Sequence, residues 1–94
     1  MTGAAASVAG DLTFATAVER RAELLRTLEA APPGPWVLDL SAVGHADTAG
    51  ISLLLELTRL ARAGGRELRI TGLPPAMRRL VDFFELGELL RVAA

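Results

Sequence analysis

An α/β domain with a mostly parallel central sheet is what this sequence predicts. Three observations carry that expectation. Short apolar runs of strand length ("AASVAG", "WVLDL", "ELRIT") alternate with longer segments of helical period. Glycine and proline clusters mark the transitions, as in "APPGP" and "GG". Finally, "WVLDL" is almost continuously apolar, the pattern of a strand covered on both faces. Crossovers between such strands are expected to be right-handed.

The first strand is expected around Ala6–Ala9, with a bent continuation through "AGDL" towards Phe14. From Thr16 to about Leu28 the period becomes helical. Val18, Ala22, Leu25 and Leu28 recur at three and four residues, while Glu19, Arg20, Glu23 and Arg26 occupy the other face. Pro32, Pro33, Gly34 and Pro35 cannot continue that helix, and "WVLDL" follows as the second strand. A second helix is expected from about Ala49 to Ala63. Ile51, Leu54, Leu55, Thr58 and Ala61 mark its inner face, and Leu53, Leu57 and Leu60 broaden it. So wide an apolar face implies deep packing or a partly interfacial helix. Gly64 and Gly65 stop it, with Arg59 and Arg62 near its end, where the helix dipole favours cations. "ELRIT" is the third strand. "GLPPAM" opens a third helix with prolines in its first turn and Met77, Leu80, Val81 and Phe84 inward, Phe83 falling beside that stripe. "ELGELLRVAA" reads as a short closing turn or helix broken at Gly87.

Ninety-four residues, 51% of them hydrophobic, suit one packed domain over residues 1–94. Ten basic against eleven acidic residues, with few aromatics, lack the basic balance and stacking platforms of a nucleic-acid binder. No cysteine is present, which excludes disulfide and thiol chemistry and fits a reducing cytoplasm. "MTGAAASVAG" has neither the basic nor the long apolar region of a secretory signal, and no run approaches the ~20 apolar residues of a membrane span. A cytoplasmic protein is the resulting expectation.

One loop concentrates the remaining polar groups: "GHADTAGIS", residues 44–52, between a buried strand and a helix. Catalysis there would need His45, the single histidine, with Ser41 or Thr48, yet no G-x-S-x-G elbow exists. One histidine and no cysteine leave too few ligands for a metal site, and no phosphate-cradling glycine loop occurs, so neither metal nor cofactor is expected. Asp47 and Thr48 are both good N-cap residues, but a helix needs only one. The other would then present its oxygen at the tip of a parallel strand, where α/β sheets place ligand sites. Gly50 would clear the approach for another surface. A phosphate on Thr48 would add about −1.5 to −2 charges, tolerated by the helix dipole and opposed by Asp47. His45, Asp39, Arg78 and Arg79 read by default as loop, strand-end and solvated-face residues.

The stretch "VLDLSAVGHADTAGISLLLELTRLARAGGRELRITGLPPAMRRLVDFFELGELL" resembles the STAS domain family (sulfate transporter and anti-sigma-factor antagonist) over roughly residues 8–90. Its most specific part is "VLDLS", a short loop, D-[ST]-x-G and an apolar helix ending near "GG"; "GDLTF" resembles the family's Gly-acidic-Leu turn. The resemblance is nearest to the stand-alone, MlaB-like STAS subunits of bacterial phospholipid-trafficking ABC transporters. It implies a mixed or mostly parallel sheet of about four strands with helices largely on one side; this sequence departs from the family pattern in an abbreviated N-terminal hairpin, since few residues precede "AGDL". It also implies that Thr48 is the regulatory or phosphorylatable hydroxyl. The partner surface would then comprise His45, Asp47, Thr48, Ala49, Gly50 and Ser52. In the transporter subunits this region docks on the cytoplasmic ATPase; in anti-sigma-factor antagonists a partner kinase phosphorylates the hydroxyl. "DTAG" satisfies both. The very apolar second helix and "ELTRLARAGG…LRITGLP" lean towards the transporter subunit.

Overall fold

The computed structural model describes residues 4–90. Its elements run β1 (Ala4–Leu12), α1 (Ala17–Ala30), β2 (Trp36–Ala46), α2 (Thr48–Ala63), β3 (Leu68–Thr71), α3 (Pro75–Phe83) and α4 (Gly87–Leu90). The expected closing segment is thus a one-turn helix as far as Leu90; its last four residues lie outside the described part. Strand order is β1-β2-β3, all parallel. Three strands stand among the described residues where the family resemblance implied about four.

Right-handed crossovers between adjacent strands in this order place α1 and α2 on one face of the sheet. Side-chain burial agrees. Val8, Trp36, Leu38, Leu40, Leu68 and Ile70 are buried, whereas Ala5, Ser7 and Arg69, which point the other way, are exposed. The core therefore lies between one face of the sheet and the helices, with Leu12, Leu54, Leu57 and Met77 fully buried in it.

β2 runs six residues further than "WVLDL" suggested. The register explains how. Ser7 faces Asp39 but Ala9 faces Ala42, and Gly10 faces Val43 but Leu12 faces Ala46. Each step gives β2 one extra residue, a bulge. Inward positions accordingly shift from a period of two (Trp36, Leu38, Leu40) to a spacing of three (Leu40, Val43). The bent continuation of β1 holds as far as Leu12, and it is what keeps the far end of β2 paired.

The inner face of α1 differs from the expected stripe. Leu24 and Leu28 are buried and Leu25 partly so, while Ala22 is exposed and Val18 is 81% exposed. The first turn of α1 carries its apolar side chain away from the core. α2 follows most of its expected face, burying Gly50, Ile51, Leu53, Leu54, Leu57, Thr58 and Ala61, while Leu55 is partly buried and Leu60 turns out to solvent. Thr58 satisfies its hydroxyl by donating to the Leu54 carbonyl at 2.8 Å. On α3, Met77 and Val81 point inward as expected and Phe83, beside that stripe, is 79% exposed, but Phe84 is half-exposed.

Candidate functional site at the start of the second helix

Asp47 is the N-cap of α2, and its two carboxylate oxygens have separate partners. Oδ1 accepts the Ala49 amide at 2.9 Å, the first-turn bond of a capped helix. Oδ2 accepts the Phe14 amide at 3.1 Å, from the loop between β1 and α1. The Asp47 amide in turn donates to the Leu12 carbonyl at 3.4 Å. One residue thereby ties the two loops at this end of the sheet to each other.

Asp11 makes a second tie. Its Oδ1 accepts the His45 amide at 3.0 Å and lies 3.4 Å from His45 Nδ1. The hydrogen bond from the His45 backbone is the main cause that holds the Asp11 carboxyl below the usual aspartate range. His45 is thus a residue of the β2 end, with a side chain 91% exposed. Ser41 lies on the same strand four residues away, on the order of 10 Å along an extended chain, too far for a hydroxyl–imidazole pair. Asp39 accepts the Ser41 amide at 2.9 Å, which lowers its carboxyl as well and fits the structural role expected of it.

With Asp47 occupied as the cap, Thr48 is left over. It is the first residue of α2, it is exposed, and its hydroxyl makes no hydrogen bond among the described residues. Ser52, one turn on, is exposed on the same side, and Ala49 is half-buried. Gly50 is buried. A Cβ there would stand 2.8 Å from the Leu12 carbonyl oxygen and 3.2 Å from Leu12 Cγ. The close approach that Gly50 allows is made by the end of β1 in the same chain.

Beside Thr48 lies a feature that sequence reasoning missed. Phe14 (85% exposed) and Val18 (81% exposed) stand on the α1 side of an open groove of about 570 Å³, with Thr48, Ala49, Ser52 and Leu53 on the α2 side. Arg21 and Glu56 also line it, joined by a fork of two hydrogen bonds. Arg21 Nε and Nη2 each donate to a Glu56 oxygen at 2.8 Å, which raises the guanidinium and lowers the Glu56 carboxyl. The sequence held one signal of this. Leu24 and Leu28 form an i, i+4 apolar pair with Arg21 in line, an alternative stripe that turns Val18 outward.

The arrangement defines a class: a small α/β domain that presents a capped helix start, a spare hydroxyl and an apolar groove. The chain belongs to the STAS domain family, since the family model described as "Mlab, STAS domain" matches residues 3–91. Among solved structures it is similar to a sulfate transporter family protein from Wolinella succinogenes. The TM-score is 0.73 at 23% identity, over 94% of this chain and 73% of that one, which is a likeness of fold. STAS domains in general are non-catalytic and work through protein–protein interactions. No helix among the described residues is long and apolar enough to cross a membrane.

Proposed function

We propose that this protein is a non-enzymatic subunit that docks on the cytoplasmic ATPase of a bacterial phospholipid-trafficking ABC transporter and supports its assembly. The observation that carries the reading is Thr48, a hydroxyl left free by the Asp47 cap and set beside exposed Phe14 and Val18. Two large apolar side chains more than four-fifths exposed, next to a groove, are the usual mark of a partner surface. Asp47 and His45 shape this end of the sheet, Gly50 lets α2 sit down on β1, and Thr48, Ala49 and Ser52 form the contact. The MlaB-type family match supports the transporter partner over others. On this reading the whole chain is one cytoplasmic domain, held at the inner membrane only through the complex.

Co-expression with the ATPase of such a transporter, followed by gel filtration, tests the proposal. A stable complex that Thr48→Glu weakens is expected; separate elution of the two wild-type proteins would refute it. A second reading, an anti-sigma-factor antagonist switched by phosphorylation, is favoured by the same exposed Thr48 hydroxyl. Incubation with an anti-sigma kinase and ATP, read by intact mass, decides it: without a phosphate on Thr48 it has no mechanism.

A further inference from the structure

α2 is flanked by a groove on each side, and the two differ in charge. Towards α1, the Arg21–Glu56 fork neutralises itself, so that groove offers an apolar surface and little charge selection. Towards α4 lies a second groove of about 440 Å³ between Leu55 and Leu89, with Arg59 and Arg62 on its walls. Leu89 is 44% exposed and Leu55 half-buried, so apolar surface is open to solvent there. Both arginines are exposed. Arg62 donates to the Leu89 carbonyl at 3.3 Å, a bond that leaves its charge unneutralised. The Arg59 guanidinium makes no hydrogen bond or salt bridge among the described residues. The carboxylate whose charge reaches it is Glu56, and that group is already held by Arg21. Ser52 forms a rim of both grooves, so the second groove continues the Thr48 surface across the outer ridge of α2.

The geometry points to this α2–α4 groove as a docking site for an amphipathic helix of a protein partner, one that inserts an apolar side chain between Leu55 and Leu89 and sets carboxylates against Arg59 and Arg62. An amphipathic helix lays its apolar face into an apolar groove, and this one offers Leu55 and Leu89 with charge on its walls. Two unneutralised guanidiniums beside it select carboxylates, in fork geometry, and reject cations. The inference deepens the docking role proposed above and rests on it for the identity of the partner; the charge selectivity of the groove stands on Arg59 and Arg62 alone.

The experiment uses the full chain, ¹⁵N-labelled, and two helical peptide probes that share a leucine face and differ only in flanking it with glutamates or with lysines. The glutamate peptide should shift the amides of Leu55, Arg59, Arg62 and Leu89, and the lysine peptide should not. Arg59→Glu/Arg62→Glu should weaken the glutamate peptide by about tenfold or more. Arg59→Gln/Arg62→Gln should fall between. Equal shifts with both peptides, or shifts elsewhere, would overturn the inference. So would charge-dependent binding to phosphatidylglycerol vesicles with no response to the glutamate peptide, because the groove would then be a lipid contact.

The transporter ATPase supplies a separate arm. If Thr48→Arg abolishes its binding while Arg59→Glu/Arg62→Glu leaves the affinity unchanged, the α2–α4 site falls and the docking role survives. If the wild-type chain does not bind the ATPase at all, the docking role falls and the peptide titration still decides the groove.

Discussion

α1 and α2 lie side by side on one face of the sheet and are of similar length, but they cover their apolar side chains to very different degrees. α2 buries seven residues along its length and has its first turn seated against the end of β1 through Gly50. α1 buries Leu24 and Leu28 and carries Val18 outward at its start. A side chain buried in the core holds the fold together, while a large apolar one left open to solvent is available to a partner. α2 covers most of its apolar side chains and α1 leaves Val18 open at its start; on the docking role proposed above, Thr48 sits at the seam between them.

Mutations can break that division or sharpen it. Leu54→Ala, at a fully buried position of α2, should cost about 3 kcal/mol in urea unfolding. Gly50→Ala tests the seat of α2 through its sign. In an ordinary helix interior this change gains roughly 0.5–1 kcal/mol. Against a backbone oxygen 2.8 Å away it should instead cost about 1–3 kcal/mol in the same unfolding measurement. Asp47→Ala removes the cap of α2 and the bond to Phe14, and should lower stability by about 1–2 kcal/mol.

A smaller effect is expected from pH. The Asp11 carboxyl is held below its unfolded range, chiefly by the His45 amide. Its contribution is therefore present above that range and is lost as pH falls through the lowered native value. The carboxylate is half-exposed, so the change is modest, and Asp11→Asn should flatten the acid limb of the unfolding midpoint against pH. Val18→Ala should move stability least, within about 0.5 kcal/mol, because the side chain touches little in the free protein. A large loss of stability there would show that α1 is no free surface.

Much of this was legible in the residues. The alternation of strands and helices, the wide face of α2 and the stop at Gly64 all depend on local pattern and turn chemistry, and they hold in the structure. "DTAG" also announced a capped helix with one oxygen-bearing side chain to spare, although two good caps in sequence could not say which was used. What escaped notice depended on tertiary geometry. The bulges of β2 are set by its partner strand, so "SAVGHA" looked like loop and His45 like a loop residue. α1 offers two apolar stripes a small rotation apart, and only packing on the sheet chooses Leu24 and Leu28 over Val18 and Ala22. The Arg21–Glu56 fork joins residues 35 apart in the chain and leaves no local trace.

Calorimetric titration of the transporter ATPase with wild-type and Thr48→Arg protein tests the docking surface most directly. Thr48 is exposed and its hydroxyl makes no hydrogen bond among the described residues, so the variant should stay folded and lose no more than the roughly 0.3–1 kcal/mol that a cation costs in the first turn of a helix. Affinity should nevertheless fall by about tenfold or more, as expected for a bulky charge placed in the middle of an interface. Wild-type affinity in a correctly folded Thr48→Arg protein would contradict the assignment of this surface.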